Sequence, residues 1–515
     1  MSVRTGEGAA TQAIGSGTVA PPHSRTLRDL VRDLPDAEIR GSTDVLVSSV
    51  SYRSEDARPG AVFFCVPGSA VDGHAFAGDA VSRGSTAIVV DRWLELDVPQ
   101  VKVPDVRGAM GPISAAFYGR PADGMTVVGV TGTNGKTTTT FLLEAIFRAD
   151  GRKPGVIGTT GVLIDGRPEP FPRTTPEAPD LQRLVAAMAD EGVTALAMEV
   201  SSHGLHQHRV DGIRYSVAVF TNLTQDHLDY HPSMEEYFLA KSRLFTPAMS
   251  DRAVVNLDDE GGRRLAVSSL PTVTYGLAPD ADVRATQVES TADGIAFLAD
   301  GVPIRSALLG SFNVENALAA FATARSLGID DRVAADAISS VRGVPGRVET
   351  VDVGQGFLVM VDYAHTPDSV ENVLRAARSL SDGRVIVVVG CGGDRDRVKR
   401  PLMGHAATAN ADLAVITSDN PRSEDPLVII AEIIPGAERG AEEGGGGFVV
   451  EPDRRAAIRL AVTEASAGDV VVIAGKGHEA YQELADRTIP FDDRAVAEDE
   501  LRSLGRATRP LGTAP

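Results

Sequence analysis

The stretch that most constrains the fold is VVGVTGTNGKTTTT at 127–140, an apolar run followed by a glycine-rich turn and a lysine. The apolar run predicts a short buried strand, and the following TTTTFLLEAIFRAD predicts a helix that ends at Gly151. In such a strand–turn–helix unit, backbone N–H groups and the positive end of the helix dipole converge on phosphate oxygens. We therefore predict a nucleotide phosphate site, and the alternative is a glycine-rich turn without a ligand.

Side chains of this loop, which we call the phosphate loop (132–137), predict an ATP site with Mg²⁺. Lys136 can reach the β- and γ-phosphates, and the hydroxyl of Thr137 or Thr138 can bind the metal. The strict spacing G-x-x-x-x-G-K-[ST] is not met, because position 130 is valine and the earlier glycine is Gly129. The amides expected to bind phosphate belong to Gly132, Thr133, Asn134, Gly135, Lys136 and Thr137.

Bulk composition argues against two kinds of partner. The 515 residues correspond to about three domains of roughly 150 residues each. The net charge is −20 and no basic run is visible, so we expect no binding to nucleic acid and none to membranes. Local positive sites can still hold anionic ligands.

The two cysteines and the short apolar runs predict a reducing, cytoplasmic location. Cys65 and Cys391 are far apart and form neither a disulfide framework nor a zinc motif, which is typical of a reducing environment. The longest apolar runs fall far below the roughly 18 residues of a membrane span, and residues 1–25 lack the apolar segment of a signal peptide. We expect a cytoplasmic monomer with a disordered tail at 1–25 and a frayed tail at 507–515.

Alternating strand and helix signals predict an α/β fold of three domains. In the smaller N-terminal domain, 26–123, AVFFCVPG at 61–68 predicts a strand, and 72–90 predicts a helix followed by a strand. This domain should therefore be mixed α/β. Glycines and a proline at 118–124 mark its boundary.

The central domain, 124–345, should hold a mostly parallel sheet of the P-loop type with helices on both faces. DLQRLVAAMADEG at 180–192 predicts an amphipathic helix, capped by Asp180 and ended by Gly192. Strands that alternate with such helices are typical of a parallel sheet covered on both sides. The apolar strands that follow lie at 193–200 and 215–222.

The C-terminal domain, 346–506, is predicted to be Rossmann-like. Its four strands each end in a polar or glycine-rich turn, and open α/β sheets bind ligands beyond the carboxyl ends of their strands. These segments lie at 357–365, 384–393, 412–422 and 469–479. The run EEGGGG at 442–447 predicts a flexible loop.

Three further features are candidate chemical groups, each with a plain structural alternative. Glu199 ends an apolar strand and is either a site carboxylate or a residue that has reached solvent. Five histidines could suggest zinc, but their spacing fits no common zinc pattern, so solvated or substrate-facing histidines are favoured. DNPR at 419–422 is either a turn with a solvated Arg422 or a bidentate clamp for a carboxylate. The histidines are His203, His206, His208, His227 and His231.

Together these pieces resemble the Mur ligases, the ATP-dependent amino-acid ligases of peptidoglycan precursor synthesis. The family loop G-T-x-G-K-[ST] stands here as GTNGKT, which explains its offset from the strict pattern. The resemblance covers about Thr26 to Gly505. Its other motifs are EVSSHGLHQHRV (199–210), NLTQDHLDYH (222–231), AKSRLF (240–245), NLDD (256–259), GSFNVENALAA (310–320), GVPGRVE (343–349), DYAHTPD (362–368), GCGGDRDRVKRPLMG (390–404), SDNPRSEDP (418–426) and GKGHEAYQ (475–482).

The later motifs resemble the version that adds diaminopimelate to UDP-N-acetylmuramoyl-L-alanyl-D-glutamate. Lysine-adding relatives lack the arginine of DNPR. Diaminopimelate carries a second carboxylate that a guanidinium fork fits well, whereas lysine would leave Arg422 beside another cation. Losing such a charged contact costs about 2–5 kcal/mol.

The resemblance also implies a mechanism. The glutamyl γ-carboxylate attacks the γ-phosphorus of ATP, and the diaminopimelate amine then attacks the resulting acyl phosphate. Lys136 and Mg²⁺ screen charge in the first step. Glu199 and His227 are expected to bind a second Mg²⁺, and Lys241 to be carbamylated. Without the resemblance, Lys241 would be interpreted as a solvated lysine.

The binding residues implied by the resemblance fall into four groups. ATP is expected to contact the phosphate loop and Thr138, Asn313, Asn316 and Arg347, with Asn256 and Asp362 as weaker candidates. The muramoyl peptide is expected at Thr174, Thr175, Ser201, Gln207 and Arg209. Diaminopimelate is expected at Arg395, Asp419, Asn420, Pro421, Arg422, Gly475 and Glu479. The uridine end is expected at Ser54, Ser69, Ala70 and Val71, and the metal ligands are Thr137, Glu199, His227 and carbamylated Lys241.

Two departures and three alternatives accompany this interpretation. The usual D-S-R near the uridine site is RSE at 53–55, which weakens the individual uridine contacts, and glutamate follows TTP where glycine is common. The alternatives are the same ligase with L-lysine or another third residue, a folylpolyglutamate-synthase-like ligase, and a nucleotide-binding regulatory protein on the same fold. The last would retain nucleotide binding without ligase activity.

Overall fold

The computed structural model describes residues 24–34, 36–68, 71–169 and 174–507. Ser69 and Ala70 of the expected uridine site lie outside these ranges, as does most of both predicted tails. Arg25 pairs with Val47 in a strand, and the last helix runs to Ala507. The predicted tails are therefore slightly too long at their inner ends.

The N-terminal region is built on a five-stranded sheet of order β2-β7-β6-β5-β4. The central strands β5 and β6 are fully buried, and continuous apolar runs are what a parallel sheet covered on both faces requires. Its strands are β1 Arg25–Thr26, β2 Glu38–Arg40, β3 Leu46–Val47, β4 Ser49–Ser51, β5 Ala61–Phe64, β6 Ala87–Val90 and β7 Gln100–Lys102. Its helices are α1 Leu27–Val31, α2 Ala77–Ser82 and α3 Val106–Phe117.

The central region holds an eleven-stranded sheet of order β11-β10-β9-β12-β8-β13-β14-β15-β16-β17-β18. Its strands are β8 Thr126–Thr131, β9 Pro154–Gly158, β10 Gly161–Ile164, β11 Arg167–Glu169, β12 Ala195–Glu199, β13 Val217–Phe220, β14 Ala253–Asn256, β15 Thr272–Gly276, β16 Val283–Thr291, β17 Gly294–Ala299 and β18 Val302–Ser306. Its helices are α4 Lys136–Ala149, α5 Ala178–Asp190, α6 Ser202–His206, α7 Met234–Ser242, α8 Glu260–Leu265, α9 Phe312–Ser326 and α10 Asp331–Ser340.

Strand pairing in this sheet brings the predicted site residues to one edge. The pairs from β9 through β16 are parallel, and β8 lies between β12 and β13. The phosphate loop, Glu199 and the segment after β13 therefore meet at the carboxyl edge, at the point where strand order reverses. One core packs α4, α9 and α10 on one face, and another packs α5 on the opposite face, as predicted.

The C-terminal region carries a six-stranded sheet of order β19-β20-β24-β21-β22-β23, parallel except at β19. Separate cores cover its two faces, which is the doubly wound arrangement expected from the sequence. The strands are β19 Glu349–Thr350, β20 Leu358–Asp362, β21 Val385–Val389, β22 Leu413–Ile416, β23 Gly447–Val450, β24 Val470–Ala474, β25 Tyr481–Glu483 and β26 Thr488–Pro490. The helices are α11 Pro367–Leu380, α12 Lys399–Asn410, α13 Pro426–Glu442, α14 Arg454–Glu464 and α15 Asp493–Ala507.

Two local predictions are wrong. Asp180 does not cap α5, which begins earlier because Pro179 occupies its first turn, where a missing N–H costs nothing. Asp180 instead accepts a 2.7 Å hydrogen bond from the Tyr52 hydroxyl of the N-terminal region. The loop predicted at 442–447 is limited to the four residues 443–446, because α13 ends at Glu442 and β23 begins at Gly447. It is also tied down, since the amide of Gly446 donates to the carbonyl of Thr408 at 2.9 Å.

Candidate active site

Two glycines give the phosphate loop its shape. Gly132 and Gly135 have φ values of +149° and +84°, which favour glycine. A Cβ at Gly132 would lie 1.8 Å from the Thr221 hydroxyl, and one at Gly135 would lie 2.3 Å from the Asn316 side-chain oxygen. Neither position admits a larger residue, and Asn316 is placed directly against the loop.

Not all loop amides are available for phosphate. The amides of Thr133 and Asn134 donate to the carbonyl and side-chain oxygens of Asn222 at 2.9 and 2.8 Å. These two amides are therefore bonded within the protein in this structure. The donors that remain are those of the first turn of α4, which helix geometry leaves without an intrahelical partner.

Lys136 and Lys241 share one acceptor. The Lys136 ammonium donates to the carbonyls of Gly132 and Thr133 at 3.0 and 2.7 Å, and Lys241 Nζ donates to the same Gly132 oxygen at 2.8 Å. Burial lowers the pKa of Lys136, although Glu199 opposes this. Two amines therefore converge on one wall of the loop.

Lys241 is buried, not solvated. Only 1% of it is exposed, and its Nζ lies 4.3 Å from the Tyr237 ring centroid. Burial, and then the charge of Lys136, hold the pKa of Lys241 well below its ordinary value. A neutral amine with a free lone pair is the state that reacts with carbon dioxide, since an ammonium cannot attack it.

Glu199 is fixed by three donors and is not a solvent-facing strand end. Its carboxylate accepts from the Thr137 hydroxyl and from both the amide and the hydroxyl of Thr159, each at 2.9 Å. Thr137 in turn accepts from Arg347 Nη2 at 2.8 Å. Residues from three distant segments thus form one network at the start of α4.

These oxygens fit a magnesium ion. Mg²⁺ is usually held by one or two carboxylates together with substrate phosphates, and Thr137 with Glu199 offers such a pair beside the phosphate loop. A metal on Thr137 would compete with Arg347 for the same hydroxyl oxygen. Across the described ranges, no three His, Cys, Asp or Glu side chains are grouped as a metal cage.

His227 lies in a cluster of aromatic and acidic groups. Its ring is edge-on to that of His203, with centroids 4.7 Å apart, and its Nε2 lies 3.3 Å from Asp226. Burial lowers the pKa of His227 to about 3 and that of His203 to about 4. Both rings are therefore neutral near pH 7, the form in which imidazole binds a metal.

The residues expected at the muramoyl peptide form one connected wall next to Glu199. Thr175 donates to the Ser201 hydroxyl at 3.0 Å, and Arg209 donates to the carbonyl of Thr175 and to the side chain of Gln207. Thr174 lies 3.1 Å from Thr159 through their hydroxyls. Hydrogen bonds thus join Thr175 to Ser201 and Arg209, and Arg209 to Gln207, while Thr174 lies beside Thr159.

The expected nucleotide side chains come from α9, from the ends of β14 and β20, and from the segment after α10. Asn316 donates to the side chain of Asn313 at 2.9 Å. The weaker candidate Asn256 donates to Glu315 at 3.0 Å, and Asp362 accepts from the amide of Val348 at 2.8 Å. Arg347 lies over the Tyr363 ring at 4.6 Å and reaches the phosphate loop through Thr137.

The DNPR turn packs against the turn after β24. Asn420 donates to Glu479 at 2.8 Å and accepts from Lys476 at 3.1 Å. Gly475 has φ +116°, and a Cβ there would lie 2.6 Å from an Asp419 side-chain oxygen. Five of the residues expected at diaminopimelate are thus adjacent: Asp419, Asn420, Pro421, Gly475 and Glu479.

Arg422 is anchored and conformationally strained. Its Nε pairs with Glu483 at 2.8 Å, and its Nη1 donates to the carbonyl of Gly393 at 2.8 Å. Its φ is +50°, which is uncommon for a residue with a side chain and is often found at functional sites. Arg395 donates to the carbonyl of the neighbouring Asp394 at 2.9 Å.

Two residues of the expected uridine site, Ser54 and Val71, lie within the described ranges. Ser54 hydrogen-bonds Asp79, which lowers the pKa of that carboxyl. Val71 is exposed and its carbonyl accepts from the amide of Gly68 at 3.1 Å.

Contacts between the central and C-terminal regions supply residues that sequence reasoning missed. Asn134 donates to Asp368 at 2.8 Å. The Lys399 ammonium lies 3.4 Å from Asp226, and both side chains are buried. Burial opposes ionisation of Asp226, but Lys399, followed by His227 and His365, lowers its pKa overall. All of these residues lie in recognised motifs, but nothing in the sequence indicates how they pair.

A further contact joins the two regions at His478 and Thr159. His478 Nε2 lies 3.0 Å from the carbonyl oxygen of Thr159. A Cβ at Gly346 would lie 2.2 Å from the His478 amide nitrogen, so the GVPGR and GKGHE turns interlock through glycine. These contacts join Thr159, which holds Glu199, to the turn that packs against DNPR.

Comparison with known proteins agrees with this geometry. Three family models match: Mur ligase family, catalytic domain (46–118), Mur ligase middle domain (130–324), and Mur ligase, glutamate ligase domain (346–477). The UDP-N-acetylmuramoyl-L-alanyl-D-glutamate--2,6-diaminopimelate ligase of Geobacillus thermodenitrificans is 50% identical over 92% of this chain and 99% of its own. That of Geobacillus kaustophilus is 48% identical over 93% and 100%. A solved structure of a ligase with this name is 33% identical, covers 94% of this chain and 99% of its own, and superposes with a TM-score of 0.67. The chain belongs to the Mur ligase family.

Proposed function

We propose that this protein is an ATP-dependent ligase that joins diaminopimelate to the D-glutamyl γ-carboxylate of UDP-N-acetylmuramoyl-L-alanyl-D-glutamate. The reaction belongs to peptidoglycan precursor synthesis in the cytoplasm. One set of contacts supports the proposal: Arg347 and His478 join the Thr137–Glu199–Thr159 network to the C-terminal region, and the turn that carries His478 packs against DNPR through Glu479 and Asn420. The two half-reactions of such a ligase need these two binding sites side by side.

In the first half-reaction, the γ-carboxylate attacks the γ-phosphorus of ATP and an acyl phosphate forms. The amides of the first turn of α4 and the Lys136 ammonium hold the phosphates. Lys136 already lies at the mouth of the loop, 2.7 Å from the Thr133 carbonyl, so a small movement of its flexible side chain brings it to the transferred group. Its positive charge offsets the negative charge that builds up in the transition state.

Mg²⁺ would be held by Thr137 and Glu199, with a second ion at Glu199, His227 and Lys241. When bound, it draws electron density from the phosphoryl oxygens and offsets their charge. Thr159 holds the Glu199 carboxylate in place for this purpose. The neutral His227 ring supplies a lone pair.

Lys241 is proposed to be carbamylated. Its buried, neutral amine attacks carbon dioxide, a C–N bond forms, and one proton leaves, so that the neutral amine becomes an anionic oxygen ligand. The carbamate would place a negative charge beside the Lys136 ammonium, with which Lys241 now shares the Gly132 carbonyl. The low pKa of Lys241 supports this assignment.

Substrate binding is proposed on the walls described above. ATP contacts the loop, Thr138, Asn313, Asn316 and Arg347, and the muramoyl peptide contacts Thr174, Thr175, Ser201, Gln207 and Arg209. The uridine end lies near Ser54 and Val71, on the N-terminal region. The three sheets correspond to three domains with these separate tasks.

Specificity for diaminopimelate is assigned to Arg422, with Arg395, Asp419, Asn420, Gly475 and Glu479 completing the pocket. Glu483 and the Gly393 carbonyl fix the guanidinium through Nε and Nη1. The remaining nitrogen, Nη2, is then oriented toward the distal carboxylate of the amino acid. Lysine has no such carboxylate and carries a like charge, which the arginine repels.

Phosphate release tests the proposal against its alternatives. Purified protein, ATP and the UDP-muramoyl dipeptide are mixed with diaminopimelate, with L-lysine, or with neither, and a folate substrate with glutamate is tested in parallel. Release with diaminopimelate alone is expected. Equal release with lysine would indicate that DNPR is a structural turn without a role in specificity. Nucleotide binding without any phosphate release would favour a regulatory protein.

A further inference from the structure

His478 is a histidine that the mechanism above does not use, although it lies between the two half-sites. Its turn also contributes Gly475 and Glu479 to the amino-acid pocket. Its Nε2 lies 3.0 Å from the Thr159 carbonyl, and Thr159 holds Glu199 through its amide and hydroxyl. The imidazole therefore connects the amino-acid side to the acyl phosphate side.

The Thr159 contact fixes the tautomer of His478. A carbonyl oxygen can only accept a hydrogen bond, so Nε2 must carry the proton. In the neutral ring Nδ1 is then the nitrogen with a free lone pair. This Nδ1 is buried and has no hydrogen-bond partner within the described ranges.

A buried acceptor without a donor is costly, and in a native protein it calls for an explanation. The groups around His478 do not supply one. Arg347, Glu199 and Lys476 are its charged neighbours, and its ring centroid lies 5.3 Å from that of Tyr363. Burial and Arg347 lower the pKa of His478, so the ring is neutral near pH 7 and Nδ1 keeps its lone pair.

The second half-reaction needs a proton acceptor at this place. An amino acid arrives as an ammonium ion, which has no lone pair and cannot attack the acyl carbon. We propose that Nδ1 of His478 accepts a proton from the ammonium group of diaminopimelate and so is a catalytic residue of the second half-reaction. This rests on the proposed function.

Bonds and protons balance in this step. The ammonium N–H bond breaks, its proton goes to Nδ1, and the amine lone pair forms the C–N bond while the C–O bond to phosphate breaks. The second proton of the nitrogen leaves with the phosphate. The imidazolium then releases its proton to solvent, and the ring returns to the tautomer that Thr159 selects.

The test uses two nucleophiles with one variant. His478→Gln keeps an amide N–H within reach of the Thr159 carbonyl but has no imidazole lone pair. Diaminopimelate needs deprotonation, whereas hydroxylamine is neutral in mildly alkaline buffer and attacks an acyl phosphate unaided. We measure tripeptide formation with diaminopimelate, and hydroxamate formation with hydroxylamine, for wild type, His478→Gln, His478→Ala and the surface control His405→Gln.

The expected result is selective. His478→Gln should lose about 10²–10⁴-fold in tripeptide formation, the usual contribution of a general base, while hydroxamate formation stays near the wild-type rate. Full tripeptide formation by His478→Gln would overturn the proposal. Equal loss of both products would also overturn it, since His478 would then act only by holding Thr159 and Glu199. No hydroxamate from wild type would instead refute the acyl phosphate and the proposed function itself.

Discussion

At the phosphate end of the site the polar groups are buried and bonded to one another, whereas at the amino-acid end the key arginine is half-exposed. Thr137 and Glu199 are 2% and 1% exposed and lie in one hydrogen-bonded network. The side chains of Arg422 and its partner Glu483 are 23% and 37% exposed. The difference indicates that chemistry depends on a rigid, dry network, and that the choice of amino acid depends on a local and replaceable contact.

The comparison predicts the largest loss at the phosphate end. Lys136→Ala should reduce phosphate release by at least about 10³-fold, because its ammonium group offsets the negative charge that builds up on the transferred phosphoryl group. Lys153→Ala is the matched control, since that half-buried lysine donates to the carbonyl of Glu191, away from the phosphate loop. A loss of only a few fold in Lys136→Ala would contradict the assignment of the loop.

A smaller loss is expected at Lys241. Lys241→Arg keeps a cation but cannot form a stable carbamate, so activity should fall about 10²-fold, as when one charge-stabilising group is lost. Wild-type activity should also fall in buffer stripped of carbon dioxide and return with bicarbonate. Unchanged activity in both experiments would show that Lys241 acts as the plain amine.

At the amino-acid end the effect should be selective. Arg422→Ala should raise the KM for diaminopimelate about 30-fold, which corresponds to about 2 kcal/mol for a half-exposed charged contact. The KM for ATP should hardly change. Arg397→Ala removes a surface arginine of the same region that pairs with Glu432 and serves as control. Equal increases for both substrates would remove the distinction between the two ends.

The smallest effect concerns stability and pH. Burial lowers the pKa of His203, His231 and His365 to about 4 each, against about 6.5 in an unfolded chain. The unfolded state therefore binds more protons between these values, so the free energy of unfolding falls as pH drops below about 6.5. The melting temperature should fall by a few degrees between about pH 7 and about pH 5. This fall should be smaller in His203→Asn than in the control His405→Asn, whose side chain is one-third exposed. Parallel slopes in the two variants would contradict burial of His203.

The strands that lead to the site, and the polar turns at their ends, were predictable because their sequence signals are local. Continuous apolar runs that end in polar turns indicate β8, β12 and β13, and the loop spacing indicates the phosphate site. The antiparallel extension β16–β18 was missed, since its half-exposed strands carry polar residues and lack a motif. Asp180 was wrongly predicted as a cap because Pro179 moved the helix start.

The pairing of distant residues could not be predicted. Nothing local to Asp226 or Lys399 indicates that they meet across 173 positions, and the same is true of Thr159 and His478. Lys241 shows the limit most clearly, because its helix sequence alone suggests a solvated lysine. Only the packing of α7 against the phosphate loop buries its amine.

One isotope experiment tests the central claim, that the phosphate loop activates a carboxylate for attack by the amino acid. The dipeptide substrate is prepared with heavy oxygen in its D-glutamyl γ-carboxylate and is converted with ATP and diaminopimelate, and the released phosphate is examined by mass spectrometry. An acyl phosphate requires that one heavy oxygen atom appear in the phosphate for each tripeptide formed. Tripeptide formation with unlabelled phosphate would contradict the account.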